Sequence, residues 1–269
     1  MNEQFIDKKT VAFLDVLGFH ELLITTPLYK LAKAYDYSVS VTNIMNRQFQ
    51  LSEQTPTLFP HHKQGDPWCN RYIFSDSIIL ISNGDDLISC LKLLVYARRL
   101  IQTFLAMKFS VRGGIAHGEL YENKITNVVM GQALTNAFEL EKKQQWIGAA
   151  IDETVEHAYP ELTAHMKDNN NLLSTIFLRY PVPFKNGITK DLHTLNWRFN
   201  LIVQKGTRSL FNENDDADVV EKINNTLAYA RTVVNSGNIY SKNEETLPVE
   251  LRAMWVGDAE PPFKHGDDL

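Results

Sequence analysis

Two carboxylates carry the most chemical promise in this chain. Asp15 ends a short apolar run, Thr10 to Asp15 (TVAFLD), and Asp76 sits in Ser75-Asp76-Ser77 between the β-rich runs Arg71 to Phe74 and Ile78 to Ile81. A strand end and a hairpin tip can lie side by side. Hard oxygen ligands of this kind suit Mg²⁺ or Mn²⁺, and two such cations roughly 3.5 to 4 Å apart are a known device for phosphoryl displacement. One would activate a hydroxyl while the other held a triphosphate. Each acid alone also has a plainer reading, Asp15 as a helix cap and Asp76 as a turn residue. Together with the loop that follows Asp15, they favour the cation site.

That loop, Leu17-Gly18-Phe19, would present backbone N–H groups at a helix start, a cradle for phosphate oxygens. Arg112, in Val111-Arg112-Gly113-Gly114-Ile115, is a charge inside an apolar strand pattern, and the glycines permit close approach of backbone or ligand. A buried arginine needs an anion, either a protein carboxylate or a triphosphate, and both remain open. His20 and His117 read as packing or surface residues, Trp68 and Trp197 as core. Cys69 and Cys90, two unrelated thiols, receive no role.

The elements that must position these residues follow from periodicity. Thr10 to Asp15 is a buried strand, followed by a helix from about Glu21 to Phe49 and a polar loop from Thr55 to Pro67. After the hairpin around Asp76, Leu87, Leu91, Leu94, Ile101 and Leu105 recur at helical spacing within Asp86 to Ala106. A strand from Phe109 to Ala116, a glycine-started helix from Thr126 to Lys143, a strand from Gly148 to Ile151 and a helix from Glu153 to His157 come next. Further strands are expected at Ser174 to Leu178 and Leu201 to Val203, joined through Tyr180-Pro181-Val182-Pro183, with a helix at Ala217 to Val234. The order strand, helix, hairpin, helix, strand predicts an α+β, ferredoxin-like βαββαβ sheet with helices on one face. Residues 1–160 form the expected domain, and 161–269 a C-terminal extension adding strands and a helix to it.

Composition narrows the classes. The chain has 269 residues, 44% hydrophobic and 22% charged, the averages of a globular protein. A formal charge of -5 argues against a general nucleic-acid binder. No stretch approaches the roughly 18 apolar residues of a membrane span, and the start MNEQFIDKKT lacks signal-peptide features. The expected location is the cytoplasm.

The segments Phe13-Leu14-Asp15-Val16-Leu17-Gly18-Phe19, Phe74-Ser75-Asp76-Ser77, Arg112-Gly113-Gly114-Ile115-Ala116-His117-Gly118, Gly131 through Leu140-Glu141, and Ile151-Asp152-Glu153-Thr154 share an order and approximate spacing. In these, over Val11 to Val155, the chain resembles the catalytic domain of class III nucleotidyl cyclases. With Tyr180-Pro181-Val182-Pro183 and Leu195-Asn196-Trp197 downstream, it resembles the pyrimidine cyclases of the Pycsar anti-phage system. The resemblance implies that Asp15, Asp76 and the Val16 carbonyl hold two Mg²⁺ or Mn²⁺ per site and that Arg112 contacts the triphosphate. Leu17, Gly18 and Phe19 would line the phosphates. Tyr72 stands where purine cyclases place a base-reading lysine, and Gln132 replaces the matching acid.

The resemblance further implies conversion of UTP or CTP into cyclic UMP or cyclic CMP, in a homodimer with sites at its interface. The product would act on a separate effector, without direct contact. The family pattern is broken at Thr135 and Glu139, where an asparagine and a transition-state arginine are expected. Asn136 could replace the asparagine, and Lys142, Lys143, Arg71 or another cation the arginine. The rival readings are a catalytically silent nucleotide sensor, a purine cyclase, and an unrelated ferredoxin-like module whose acids are turn residues.

Overall fold

The computed structural model describes residues 6–50, 67–162, 176–197 and 216–235. Its centre is β1 (Ile6–Val16), flanked by β3 (Ser77–Ile81) and β4 (Val111–Asn123), both antiparallel to it. β2 (Asn70–Phe74) pairs with β3 through the hairpin that carries Asp76, with Ser75 in the left-handed region at φ 56°. The order β2-β3-β1-β4, with helices joining β1 to β2 and β3 to β4, is the ferredoxin-like βαββαβ arrangement. The fold is α+β.

The helix expected from Glu21 to Phe49 is two helices, α1 (Phe19–Thr25) and α2 (Leu28–Gln50). Pro27 explains the break: it forces the preceding Thr26 into the extended region (φ -127°, ψ 131°) and then starts the next helix without needing a donor. α3 (Leu87–Ala106) begins at Asp86, whose carboxylate accepts the Ser89 N–H at 2.9 Å. α2 and α3 cover one face of the sheet, packing Leu31, Ala34, Leu94 and Phe104 onto Leu14, Val16 and Leu80.

The opposite face is not open, as one-sided helices would leave it. There α4 (Gln132–Lys143) lays Ala133 and Ala137 over Val11, Ile81, Ala116 and Leu120. Gly114 makes that approach possible, because a Cβ at that position would stand 2.1 Å from the Ala137 carbonyl oxygen. The first residues of the helix expected from Thr126 instead form β5 (Val128–Met130), which folds back on β4. The two β-branched valines, with a strand beside them to pair with, gain more from pairing than from a helical start.

β6 (Gly148–Ile151) adds parallel to β4, and α5 (Glu153–Ala158) follows. β8 (Thr189–Leu195) and β7 (Phe177–Pro183) extend the sheet in the order β6-β8-β7. The proline-rich run expected to be a connector lies within β7, an edge strand among the described residues, where two missing donors are tolerated. α6 (Ala217–Asn235) is tied to the same core, with the Tyr229 hydroxyl donating to the Leu195 carbonyl at 3.0 Å and its ring edge-on to Trp146. Residues 55–66 of the expected loop and the strand expected at 201–203 lie outside the described residues. No described helix is long and apolar enough to cross a membrane.

Candidate acidic site at the end of the central strand

The register places Asp15 opposite Ser77 on β3 and opposite Arg112 on β4. One residue on, the Val16 N–H donates to the Asp76 carbonyl at 3.0 Å. The two acids therefore occupy neighbouring positions at one end of the sheet, fixed by backbone pairing. Neither carboxylate forms a hydrogen bond or ion pair with a described residue. Burial, then the nearby Glu141 and Asp76 carboxylates, push Asp15 up to about 6, with Arg112 and Lys185 partly opposing them. Arg112 and Lys185 only partly offset the crowding of these anions, and neither forms an ion pair with Asp15 or Asp76.

Among the described residues no three His, Cys, Asp or Glu side chains are grouped as a metal cage. Two carboxylates beside a strand-end carbonyl suit Mg²⁺ or Mn²⁺, which keep most of their coordination sphere for water and phosphate oxygens. The donor set fits such a cation.

Arg112 is committed elsewhere. Its Nε and Nη2 lie 2.6 and 2.5 Å from Glu141 Oε1, and its Nη1 donates to the Gln144 carbonyl at 3.0 Å. Both side chains of the pair are sealed, at 7% and 4% exposed. Of the two anions open to a buried arginine, the structure supplies the protein carboxylate, Glu141. Gln144 completes the knot by donating to the Gly113 and Leu140 carbonyls and accepting the Trp146 indole N–H. Gly114 thus admits the helix, whereas Gly113 lies close against Leu14 and Ala149 of the neighbouring strands.

The phosphate cradle is also smaller than expected. Gly18 takes the left-handed conformation at φ 72°, but the Val16 and Leu17 N–H groups are spent on the Asp76 and Ser110 carbonyls. Of the loop residues named, only Gly18 and Phe19 keep amides without such a bond. Tyr72 is tethered: its hydroxyl donates to Glu122 at 2.9 Å, and its ring packs against the cluster of Val11, Ile81 and Leu120. Burial, then Glu122, push that phenol up to about 12.

Thr135 is exposed, its hydroxyl bonded back to the Gly131 carbonyl at 3.2 Å, and Asn136 is half-buried. Neither makes a contact toward the acids. Glu139 pairs along the helix with Lys143, and Lys142 sits 5.6 Å from the centre of the Phe138 ring. Arg71 is engaged by Tyr96 and Asn43. Trp68 and Trp197 are buried, at 6% and 0% exposed. Burial pushes the Cys69 and Cys90 thiols up to about 12.

One cation escaped the sequence reading. Lys185, in the turn between β7 and β8, is held by its N–H to the Lys143 carbonyl at 2.9 Å, beside the bridge pairing Gln144 with Phe184. It acts on Asp15, Arg112 and Glu141, and burial, then Arg112 and Lys222, hold its ammonium below the usual lysine range. No ion pair takes up its ammonium among the described residues. Its distance in sequence hid it, since only the folded-back hairpin brings it to this end.

No family model matches the chain, and no curated protein matches it. Among solved structures, a bacterial light-regulated adenylyl cyclase is similar at 12% identity with a TM-score of 0.44, over 77% of this chain and 99% of that one. The adenylyl cyclase CyaB from P. aeruginosa is similar at 12% identity with a TM-score of 0.42, over 71% and 94%. Likenesses of that size say nothing of site or substrate, so the chemistry rests on the residues themselves.

Proposed function

We propose that this chain is a nucleotidyl cyclase that converts UTP, or CTP, into the 3′,5′-cyclic monophosphate and pyrophosphate, as a messenger in anti-phage defence. The observation that carries the reading is the pair Asp15 and Asp76, neighbours at a strand end and a hairpin tip with no protein partner for either carboxylate. The choice of a pyrimidine and the defence role come from the motif resemblance alone.

Asp15, Asp76 and the Val16 carbonyl would hold Mg²⁺ or Mn²⁺, two per site. Bound there, the cations would neutralise charge building on the phosphates and favour the ionised hydroxyl. In the reaction the nucleotide 3′-oxygen bonds to its own α-phosphorus, the α–β bridging bond breaks, and pyrophosphate leaves with that electron pair while the 3′-proton passes to solvent. The chain's part is positional. The Gly18 and Phe19 amides, free of backbone partners, would meet phosphate oxygens, Lys185 would lend its charge to the polyphosphate, and the Arg112–Glu141 pair fixes α4 beside the site. Two copies placed head to tail would complete base recognition, with a separate cyclic-nucleotide effector downstream.

A second reading has one observation in its favour. On α4, Thr135 is bonded back to the Gly131 carbonyl and Glu139 is paired with Lys143, so neither position where the family pattern is broken offers a donor or cation for a transition state. A silent triphosphate sensor would look like this. Purified protein incubated with Mn²⁺ and each of the four ribonucleoside triphosphates, beside Asp76→Ala, decides between them. A cyclic pyrimidine product that vanishes in the variant supports the cyclase, a cyclic purine product moves the substrate, and binding without pyrophosphate release supports the sensor.

A further inference from the structure

Tyr35 on α2 is set in phenylalanine surroundings: its ring lies edge-on to Phe19 at 5.7 Å, Phe104 at 5.0 Å and Phe109 at 5.3 Å between centroids. A phenylalanine would fit those neighbours equally well, yet the residue carries a hydroxyl. That oxygen is sealed from solvent and has no hydrogen-bond partner. Leaving a buried hydroxyl unpaired costs about 1–3 kcal/mol, so its retention asks for a partner that the resting fold withholds. The charges that act on it are Asp76 and then Asp15, which, after burial, drive the phenol above its ordinary range. The Tyr35 hydroxyl thus lies within electrostatic reach of two carboxylates that have no partner among the described residues, with its ring against Phe19 of the loop after Asp15.

We infer that Tyr35 is a positioning residue for the acidic site, donating a hydrogen bond to the Asp76 carboxylate oxygen left free when the other binds a divalent cation. The inference rests on the reading of Asp15 and Asp76 as cation ligands. A carboxylate that turns toward a cation sweeps its second oxygen away from it, and a fixed donor on that side selects the turned rotamer. Outer partners of this sort orient metal ligands, and their loss typically weakens metal binding 10–100-fold. The three aromatic contacts supply the rigidity, and Phe19 ties the donor to the loop that follows Asp15.

The test uses full-length protein and Mn²⁺ alone, with free Mn²⁺ followed by electron paramagnetic resonance and thermal melting run with and without the ion, for wild type, Tyr35→Phe and Asp76→Ala. Tyr35→Phe is expected to melt at or above the wild-type temperature in metal-free buffer, to bind Mn²⁺ about 10-fold more weakly, and to lose most of the Mn²⁺-induced rise in melting temperature. If Asp76→Ala loses Mn²⁺ while Tyr35→Phe binds as wild type, the phenol is a packing residue; the inference falls and the cation site stands. If Tyr35→Phe melts well below wild type without metal, the hydroxyl has a resting partner and the inference falls on that ground. Wild type that binds no Mn²⁺, or Asp76→Ala that binds it unchanged, overturns both the inference and the site.

Discussion

Asp15 and Arg112 are partners on one rung of the β1–β4 ladder, yet their surroundings are opposites. Around Arg112 every polar group found is used: guanidinium to Glu141 and the Gln144 carbonyl, Gln144 side chain to two carbonyls and an indole. Around Asp15 the carboxylates and the Tyr35 hydroxyl are idle. A satisfied knot is finished within the chain and serves the fold, whereas idle groups held against repulsion wait for a ligand. Arg112 is tied into the fold through Glu141, and the half-buried Asp15 and Asp76 are left with carboxylates unpaired among the described residues.

Breaking each side should give opposite signatures. The largest effect is expected for Asp76→Ala, whose cyclase activity should fall about 10³-fold or more, several kcal/mol of lost charge stabilisation, with a melting temperature no lower than wild type. Glu141→Ala should do the reverse through the fold. It strands a buried guanidinium, at a cost of about 3–5 kcal/mol, and urea unfolding should show it as a lower midpoint. An unchanged midpoint would mean that Arg112 is not committed to Glu141 and is free for substrate after all.

Lys185→Ala should lower kcat/KM about tenfold, or ~1.4 kcal/mol, without moving that midpoint. An equal effect on stability would return Lys185 to the structural side. The mildest expectation concerns Asp15→Asn in metal-free protein. Because the folded carboxyl sits near 6 rather than at the ordinary value close to 4, wild type loses stability as pH rises from about 4 to 6. The asparagine variant should therefore melt higher than wild type at pH 7.5, with the gap closing toward pH 4. A gap that does not depend on pH would show Asp15 to be relieved already.

What the sequence made legible is what local pattern encodes. An apolar run ending in Asp15 and a serine-flanked acid between β-rich runs are enough to set two carboxylates at neighbouring strand ends. The βαββαβ order followed from period and turn residues. The partner of Arg112 was not legible, because Glu141 is 29 residues away and its side chain reaches the strand only through glycine-permitted helix packing. Tyr35 reads as one more apolar position of an amphipathic helix, and Lys185 as a surface turn, until the chain closes. β7 was hidden for a different reason, since prolines argue against a strand everywhere except at an edge.

That edge has a consequence for how copies of the molecule meet. Pro181 and Pro183 have no N–H, and in a paired strand they can occupy only the positions that face away from β8. On that outward side Pro181 offers no donor, and at Pro183 the carbonyl already accepts the Gln145 N–H at 2.8 Å, so an incoming strand finds little there to pair with. A sheet with an apolar interior is at risk of growing edge to edge into filaments, and these prolines oppose that at β7, the border of the sheet among the described residues. Copies that associate are steered away from that border toward the helices that cover the sheet, where contact is made by side chains and can be switched.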